Sequence, residues 1–246
     1  MNKIDIMGKS IITTVIVIIC IIIVGLYAAG EVNYFASKNV SEKNITSPVI
    51  VIDKVGINEK INNVSLSQGV MLDEKSGIPT QGDVVIFGHR TLQGSPFLRL
   101  NELAVGDSIT LEWPGIGEVK YTVTNTKIVP ATYQLDTNQN GNRILLITCD
   151  PIGSTENRLI IEGELSNIGK INEKIITSNP QEANAYIISV IFMVVGLIIA
   201  FIYPRESRTY ILVTVIIISA MLLYFCINPI SSQIIYDHLI FLNGGL

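Results

Sequence analysis

The sequence predicts an all-β domain, a barrel or a sandwich, joined to three membrane-spanning helices. Three observations predict it. Three long stretches carry no charge and are rich in Ile, Leu and Val. The polar segment between the first and second of them, about 150 residues, is one domain's worth of chain. Within that segment, short β-branched runs alternate with turn residues and only one brief piece has helical spacing.

The 246 residues are 48% hydrophobic and 15% charged, too apolar for an ordinary soluble domain. The uncharged stretches are residues 10–30, 183–204 and 209–236, the last Ile/Leu-rich through Ile227. Each exceeds the ~20 apolar residues a spanning helix needs. Tyr186 and Tyr203 stand at the two ends of the second, where interfacial residues sit. The first has a basic start, Lys3 and Lys9, and small residues at Ala28-Ala29-Gly30, yet its apolar core is longer than the ~7–15 residues of a cleaved signal. It reads as a retained signal anchor.

Basic residues set the expected orientation. Lys3 and Lys9 precede the first span, and Arg205 and Arg208 occupy the short loop between the second and third. Placing both groups in the cytoplasm puts the polar segment outside, with Lys170 and Lys174 as a modest opposing bias. The expected organisation is a cytoplasmic start and signal anchor (1–30), a tether (31–47), an extracellular domain (48–165), a polar linker (166–184), two spans with a short cytoplasmic loop (185–227) and an extracellular tail (228–246). The protein is thus expected in the cell membrane, multi-pass. The net charge of −4, with no basic cluster, excludes the electrostatic footprint of nucleic-acid binding.

Along the domain, Val49-Ile50-Val51-Ile52 follows Pro48 and reads as the first strand. Residues 62–69 read as loop. Asp83 to Phe87 is a short buried strand between Gly82 and Gly88. Phe97, Leu100 and Leu103 recur at helical spacing and predict one or two turns. Ile109, Leu111 and Trp113, then Val119, Tyr121 and Val123, alternate with polar residues on either side of a Pro114-Gly115 turn, which predicts two half-buried strands. Residues 131–142 form a polar loop. Residues 144–148 make a fully apolar strand ending at Cys149, and Arg158 opens the last clear strand, 158–161.

Chemistry has few candidates here. Of three cysteines, Cys20 and Cys226 lie in apolar stretches, so Cys149 is the one available to aqueous chemistry. Of two histidines, His238 is near the C-terminus and His89 lies in the domain. With Arg158 they supply a nucleophile, a proton carrier and a cation for an oxyanion, the requirements of acyl transfer through a thioester. Each has a bland reading too. A strand cysteine is usually an inert small hydrophobe, a strand-end histidine a hydrogen-bonding group, and a strand-end arginine a surface cap. Arg90, Arg99 and Arg143 compete with Arg158 for the cationic role.

No metal-ligand spacing appears. Asp136, Asn138 and Asn140 alternate as in part of a calcium loop but lack its Gly-then-Glu completion. Neither a Gly-rich phosphate loop nor a Ser-centred nucleophile elbow is present. No cofactor is expected.

Taken in order, Phe87-Gly88-His89-Arg90, Pro96-Phe97 with Leu100 and Leu103, Gly106-Asp107, Tyr121-Thr122-Val123, Leu146-Ile147-Thr148-Cys149-Asp150-Pro151 and Arg158-Leu159-Ile160 resemble the sortase family over about residues 48–165. Leu145 stands where the family motif usually has Thr. The resemblance implies a closed β-barrel of about eight strands with short helices. It implies a membrane-anchored cysteine transpeptidase that cleaves a C-terminal sorting signal of exported proteins and passes the acyl group to an amine acceptor on the cell envelope. By matching position, Cys149 is the implied nucleophile, His89 the general acid and then base, and Arg158 the oxyanion and substrate-orienting group. Thr148 is implied to line the substrate groove, and residues 131–142 match the substrate-recognition loop, with Ala131, Thr132 and Tyr133 as substrate-binding positions. The two C-terminal spans lie outside that pattern. Two other readings stand beside it: a membrane-anchored cysteine endopeptidase in which water resolves the thioester, and a non-catalytic β-domain that binds surface proteins.

Overall fold

The computed structural model describes residues 3–41, 47–91, 93–138, 140–177, 181, 183–230 and 234–235. They fall into two compact units. One holds α1 (Lys3–Ser41), α3 (Asn184–Ile202) and α4 (Arg205–Ile227). The other holds a β-barrel and α2 (Glu173–Thr177).

The helices α1, α3 and α4 are each long and apolar enough to cross a membrane. At 1.5 Å per residue α1 is about 58 Å long, well beyond the ~30 Å hydrocarbon core of a bilayer. Residues 31–41, expected as part of a tether, therefore continue the helix. The reason is packing: Val32, Tyr34, Phe35 and Ala36 are buried in one cluster with Ala200 of α3 and Ile211, Val215 and Leu222 of α4. Asn33 adds a polar tie, its Oδ1 accepting from the Ile230 N–H at 2.8 Å. Two glycines permit close approach of the helices. A Cβ at Gly196 would lie 2.5 Å from Val215 Cγ1, and one at Gly25 would lie 2.7 Å from Ile218 Cγ2. Most of the expected tail 228–246, with His238, lies outside the described residues, as do residues 42–46 of the expected tether.

The second unit is a closed barrel of eight strands in the order β1-β2-β3-β4-β7-β8-β6-β5. They are β1 (Val49–Ile52), β2 (Ile57–Asn62), β3 (Val70–Leu72), β4 (Val84–Phe87), β5 (Ser108–Trp113), β6 (Gly117–Pro130), β7 (Arg143–Asp150) and β8 (Asn157–Gly169). "All-β" thus describes this unit and not the chain. Period-two alternation turns Ile50, Ile52, Ile109, Leu111, Val119, Tyr121, Val123, Ile144, Leu146, Leu159 and Ile161 into the barrel interior. Phe97, Leu100 and Leu103, at the predicted helical spacing, join this core, with a single 3-10 turn at Leu100–Glu102.

Two strands exceed expectation and two are additional. β6 and β8 run on as a long antiparallel pair, from Glu118 opposite Gly169 to Pro130 opposite Asn157. The expected linker at 166–184 therefore begins as strand, and β8 ends at Gly169. After it, the Asn172 N–H donates to Glu112 Oε2 at 2.8 Å and Ile176 is buried, so this stretch is fixed to its own unit. β2 and β3, which flank the loop expected at 62–69, close the barrel between β1 and β4 and were not expected from the sequence.

Candidate active site

Three neighbouring strands set the site. β4 runs parallel to β7, with Phe87 opposite Ile147. β7 runs antiparallel to β8, with Cys149 opposite Arg158. Ile144 and Leu146 of β7 face the barrel core, while Leu145 and Ile147 belong to a second cluster with Val85 and Ile160. Cys149 continues this second row, so alternation carries its sulfur to the outer face at the end of an apolar floor.

Cys149 is buried, 4% exposed. The Arg158 Nη1 lies 3.6 Å from its Sγ and also donates to Thr155 O at 3.1 Å and Asn157 O at 3.2 Å. Those backbone bonds hold the guanidinium at the sulfur. Burial pushes the Cys149 thiol above its ordinary value, and the positive charges of Arg158 and Arg90 pull it only part of the way back.

His89 leaves β4 beside the end of β7. The Gly88 N–H donates to Ile147 O at 3.1 Å, and the Phe97 N–H donates to His89 O at 3.0 Å. Gly88 is required by packing: a Cβ there would lie 2.6 Å from Phe97 Cδ2, inside the ring that plugs the core. Burial drives the His89 imidazole down to about 4, against a hydrogen bond with the Gln93 side chain. Gln93, Gly94 and Ser95 follow with φ of 55°, 76° and 46°, a left-handed run that carries two non-glycine residues beside the histidine. At neutral pH the imidazole is therefore uncharged and able to accept a proton.

Arg90 has a role that sequence reasoning missed. Its buried guanidinium donates from Nη1 to Asp150 Oδ1 at 2.6 Å and to Cys149 O at 3.2 Å, and from Nε to Leu98 O at 3.4 Å. It thus ties the residue after His89 to the backbone of Cys149. The spacing of Arg90 next to His89 and Asp150 next to Cys149 was the available signal. Arg99 is instead paired with Glu102 on the surface, and Arg143 with Asp83. Of the competing arginines, Arg158 is the one whose side chain meets the sulfur.

The implied substrate-binding positions divide. Thr148 is wholly buried, and its Oγ1 donates to Gly88 O at 2.8 Å. Alternation turns it inward with Leu146, where it pins β7 to the His89 segment. Ala131, Thr132 and Tyr133 are exposed at the exit of β6. The Ala131 N–H donates to Glu156 O at 2.9 Å, and Lys127 Nζ lies 5.1 Å from the Tyr133 ring centroid. Further along the same loop, Leu135 packs on the outer-face cluster of Val85, Leu145, Ile147 and Ile160. Among the described residues, no group of three or more His, Cys, Asp or Glu side chains is placed to hold a metal ion.

A protein-family model described as "Sortase domain" matches residues 39–166. No curated protein matches the chain. Solved structures similar to it include sortase A of Listeria monocytogenes, 25% identical, covering 55% of this chain and 100% of that one with a TM-score of 0.46. Sortase C-1 of Actinomyces oris is 27% identical, covering 49% and 73%, with a TM-score of 0.44. A Clostridium perfringens sortase D5 transpeptidase is 22% identical, covering 50% and 79%, with a TM-score of 0.45.

Proposed function

Because this chain belongs to the sortase family, whose members are cysteine transpeptidases acting on surface proteins, we propose that it joins exported proteins to an envelope amine through a thioacyl intermediate on Cys149. The observation that carries the reading is the Arg158 guanidinium 3.6 Å from Cys149 Sγ, with a neutral His89 at the end of the adjoining parallel strand.

The proposed sequence begins with both groups uncharged. As the Cys149 sulfur bonds to the carbonyl carbon of the scissile peptide, the thiol proton passes to the imidazole of His89. The carbonyl oxygen becomes anionic, and Arg158 donates to it. Collapse of the tetrahedral intermediate breaks the C–N bond, and the His89 imidazolium gives its proton to the leaving amine. An incoming amine then attacks the thioester carbonyl, His89 takes its proton, and the thiol is restored with that proton as the C–S bond breaks. Ala131, Thr132 and Tyr133 would form the rim that meets the substrate, on the side of the site bounded by β6.

The site needs access to exported proteins, so the barrel unit would lie outside the cell. Lys3 and Lys9 at the start of α1, and Arg205 and Arg208 at the start of α4, support a cytoplasmic position for those ends. Protease shaving of intact cells checks this. Cleavage within the barrel unit is expected, and protection of the barrel until the cells are lysed sinks the orientation.

The function is tested with the full chain in detergent micelles and a pooled pentapeptide library. Mass spectrometry should find an acyl adduct on Cys149, absent in Cys149→Ala. Adding hydroxylamine or an amino-terminal glycine peptide should yield the corresponding transfer product. Adduct decay to free acid alone, unaltered by the amine, would make the protein a peptidase. An adduct that persists in Cys149→Ala would remove the nucleophile assignment.

A further inference from the structure

Asp83 immediately precedes β4, at the other end of that strand from His89, and nothing in the proposed chemistry uses it. Yet its carboxylate accepts from two backbone N–H groups and from the Arg143 guanidinium. It is 1% exposed at the side chain. Oδ1 accepts from the Arg143 N–H at 3.0 Å. Oδ2 accepts from the Asn138 N–H at 2.9 Å, from Arg143 Nε at 3.1 Å and from Arg143 Nη2 at 2.6 Å. The Asp83 N–H donates in return to Asn138 O at 3.0 Å. Arg143 Nη2 reaches on to Asp136 O at 2.9 Å.

Every one of these partners belongs to the stretch from Asp136 to Arg143, the returning half of the loop between β6 and β7. The loop wraps the carboxylate closely: a Cβ added at Gly141 would lie 1.9 Å from Asp83 Oδ1. A buried carboxylate with this many donors is strongly preorganised, since charge-assisted bonds are roughly twice as strong as neutral ones. The other half of the loop carries Leu135 onto Val85, Leu145, Ile147 and Ile160, the floor that ends at Cys149. Fixing the loop at its return therefore fixes the wall over that floor.

We propose that Asp83 is a positioning residue whose carboxylate holds the 131–142 loop in place as a wall of the substrate-binding face, so that it governs substrate capture and not bond making. The proposal rests on the transpeptidase reading for its substrate. The anchoring itself does not.

The full chain in detergent micelles tests it with three readouts. The first is turnover of a pooled fluorogenic pentapeptide library, resolved into KM and kcat. The second is the rate of iodoacetamide labelling of Cys149. The third is amide hydrogen exchange at Asn138 and Arg143. Asp83→Ala should raise KM about tenfold or more and leave kcat within about threefold, the signature of lost binding and intact chemistry. Labelling of Cys149 should be unchanged. The two amides should exchange at least about tenfold faster while those from Leu145 to Cys149 in the body of β7 stay protected. Gly141→Ala, which keeps the carboxylate and displaces the loop, should repeat the KM effect. Asp83→Asn, whose single amide oxygen can keep only one of the two bonds from backbone N–H groups and which loses the charge, should fall between.

A fall in kcat and labelling together, at constant KM, overturns the proposal. So does unchanged exchange at Asn138 and Arg143. A parent protein that forms no Cys149 adduct with any peptide, yet shows the faster exchange in Asp83→Ala, supports the anchor and sinks the transpeptidase reading.

Discussion

Cys149 and Arg158 are direct cross-strand partners on β7 and β8, and the Arg158 Nη1 stands 3.6 Å from the cysteine sulfur. Side chains alternate along a strand, so a slip of one residue in this pairing would turn one of the two into the barrel core. The long run of β8 against both β6 and β7 opposes such a slip, because it fixes the register from Arg143 opposite Glu164 to Asp150 opposite Asn157. The barrel thus sets the relation between sulfur and guanidinium through backbone pairing. Two backbone carbonyls, of Thr155 and Asn157, then hold the guanidinium in place.

Removing that cation has two expected effects. Arg158→Ala should lower kcat by about 10²–10³-fold, the typical loss of one oxyanion donor. It should also move the Cys149 thiol further upward, since Arg158 is the larger of two charges opposing the effect of burial. Arg158→Lys should recover part of the thiol shift but little of the turnover, because an ammonium lacks the planar fork. Steady-state kinetics and the pH profile of iodoacetamide labelling check both.

The resting protonation state follows from the same groups. Burial raises the Cys149 thiol and lowers the His89 imidazole to about 4, so both are neutral near pH 7. Labelling of Cys149 should be slow at neutral pH and climb without a plateau as the pH passes above the ordinary thiol range. His89→Asn should leave that profile nearly unchanged while lowering turnover by about 10²–10⁴-fold. A labelling step between pH 5 and 8 that disappears in His89→Asn would instead establish a thiolate–imidazolium pair.

Acid stability carries the imprint of His89. Its folded value, about 4, lies below the ordinary 6.5, so between those values the unfolded chain binds more protons. Stability should therefore fall as the pH drops from about 6.5 toward 4, by up to about 3 kcal/mol at ~1.4 kcal/mol per unit. Asp83 adds loss in the same direction at lower pH: burial raises its carboxyl, but the Arg143 side chain and two backbone N–H groups bring it below its ordinary value. Urea unfolding of the parent and of His89→Gln across pH 4 to 7 isolates the histidine's share. Equal slopes for the two proteins would show that His89 is not buried as neutral imidazole.

Much of this was legible in sequence because period two is a local signal. Ile109 to Trp113 and Val119 to Val123 announced β5 and β6, and the apolar run before Cys149 announced β7. β2 was not legible, since Glu59 takes the inward position between Ile57 and Ile61 and so breaks the apolar alternation, and its burial depends on neighbours distant in sequence. β3, three residues long, gives no periodicity at all. Cys149 and His89 stood out by scarcity of residue type, and Arg158 among its competitors by the family pattern. The inward turn of Thr148 followed from the alternation of its own strand, which the family pattern obscured. The partnerships of Arg90 with Asp150 and of Asp83 with Arg143 join residues 60 positions apart, a relation that only the parallel pairing of β4 with β7 creates.

That parallel pairing gives the last prediction. Arg90 and Asp150 follow His89 and Cys149 by one residue each, and their ion pair spans the same two chain segments. The Arg90 side chain is 5% exposed and that of Asp150 is 20% exposed, so the pair is largely screened from solvent. Deleting one partner leaves the other desolvated, and Arg90→Met should cost roughly 2–3 kcal/mol, toward the low end for buried pairs because Asp150 is partly wetted. Asp150→Asn should cost less, since its amide oxygen still accepts from Nη1 and the bond from Arg90 to Cys149 O survives. The two losses should not add: residues in one hydrogen-bonded pair couple, so the double variant should be nearer to Arg90→Met alone than to the sum. Denaturant unfolding of the four proteins measures this coupling, and strict additivity would show that the pair does not hold the two segments together. The same four proteins should differ in kcat if the proposed roles hold, because loosening the clamp would shift His89 relative to the Cys149 sulfur, and about an ångström of misplacement is enough to cost roughly 10²-fold in rate.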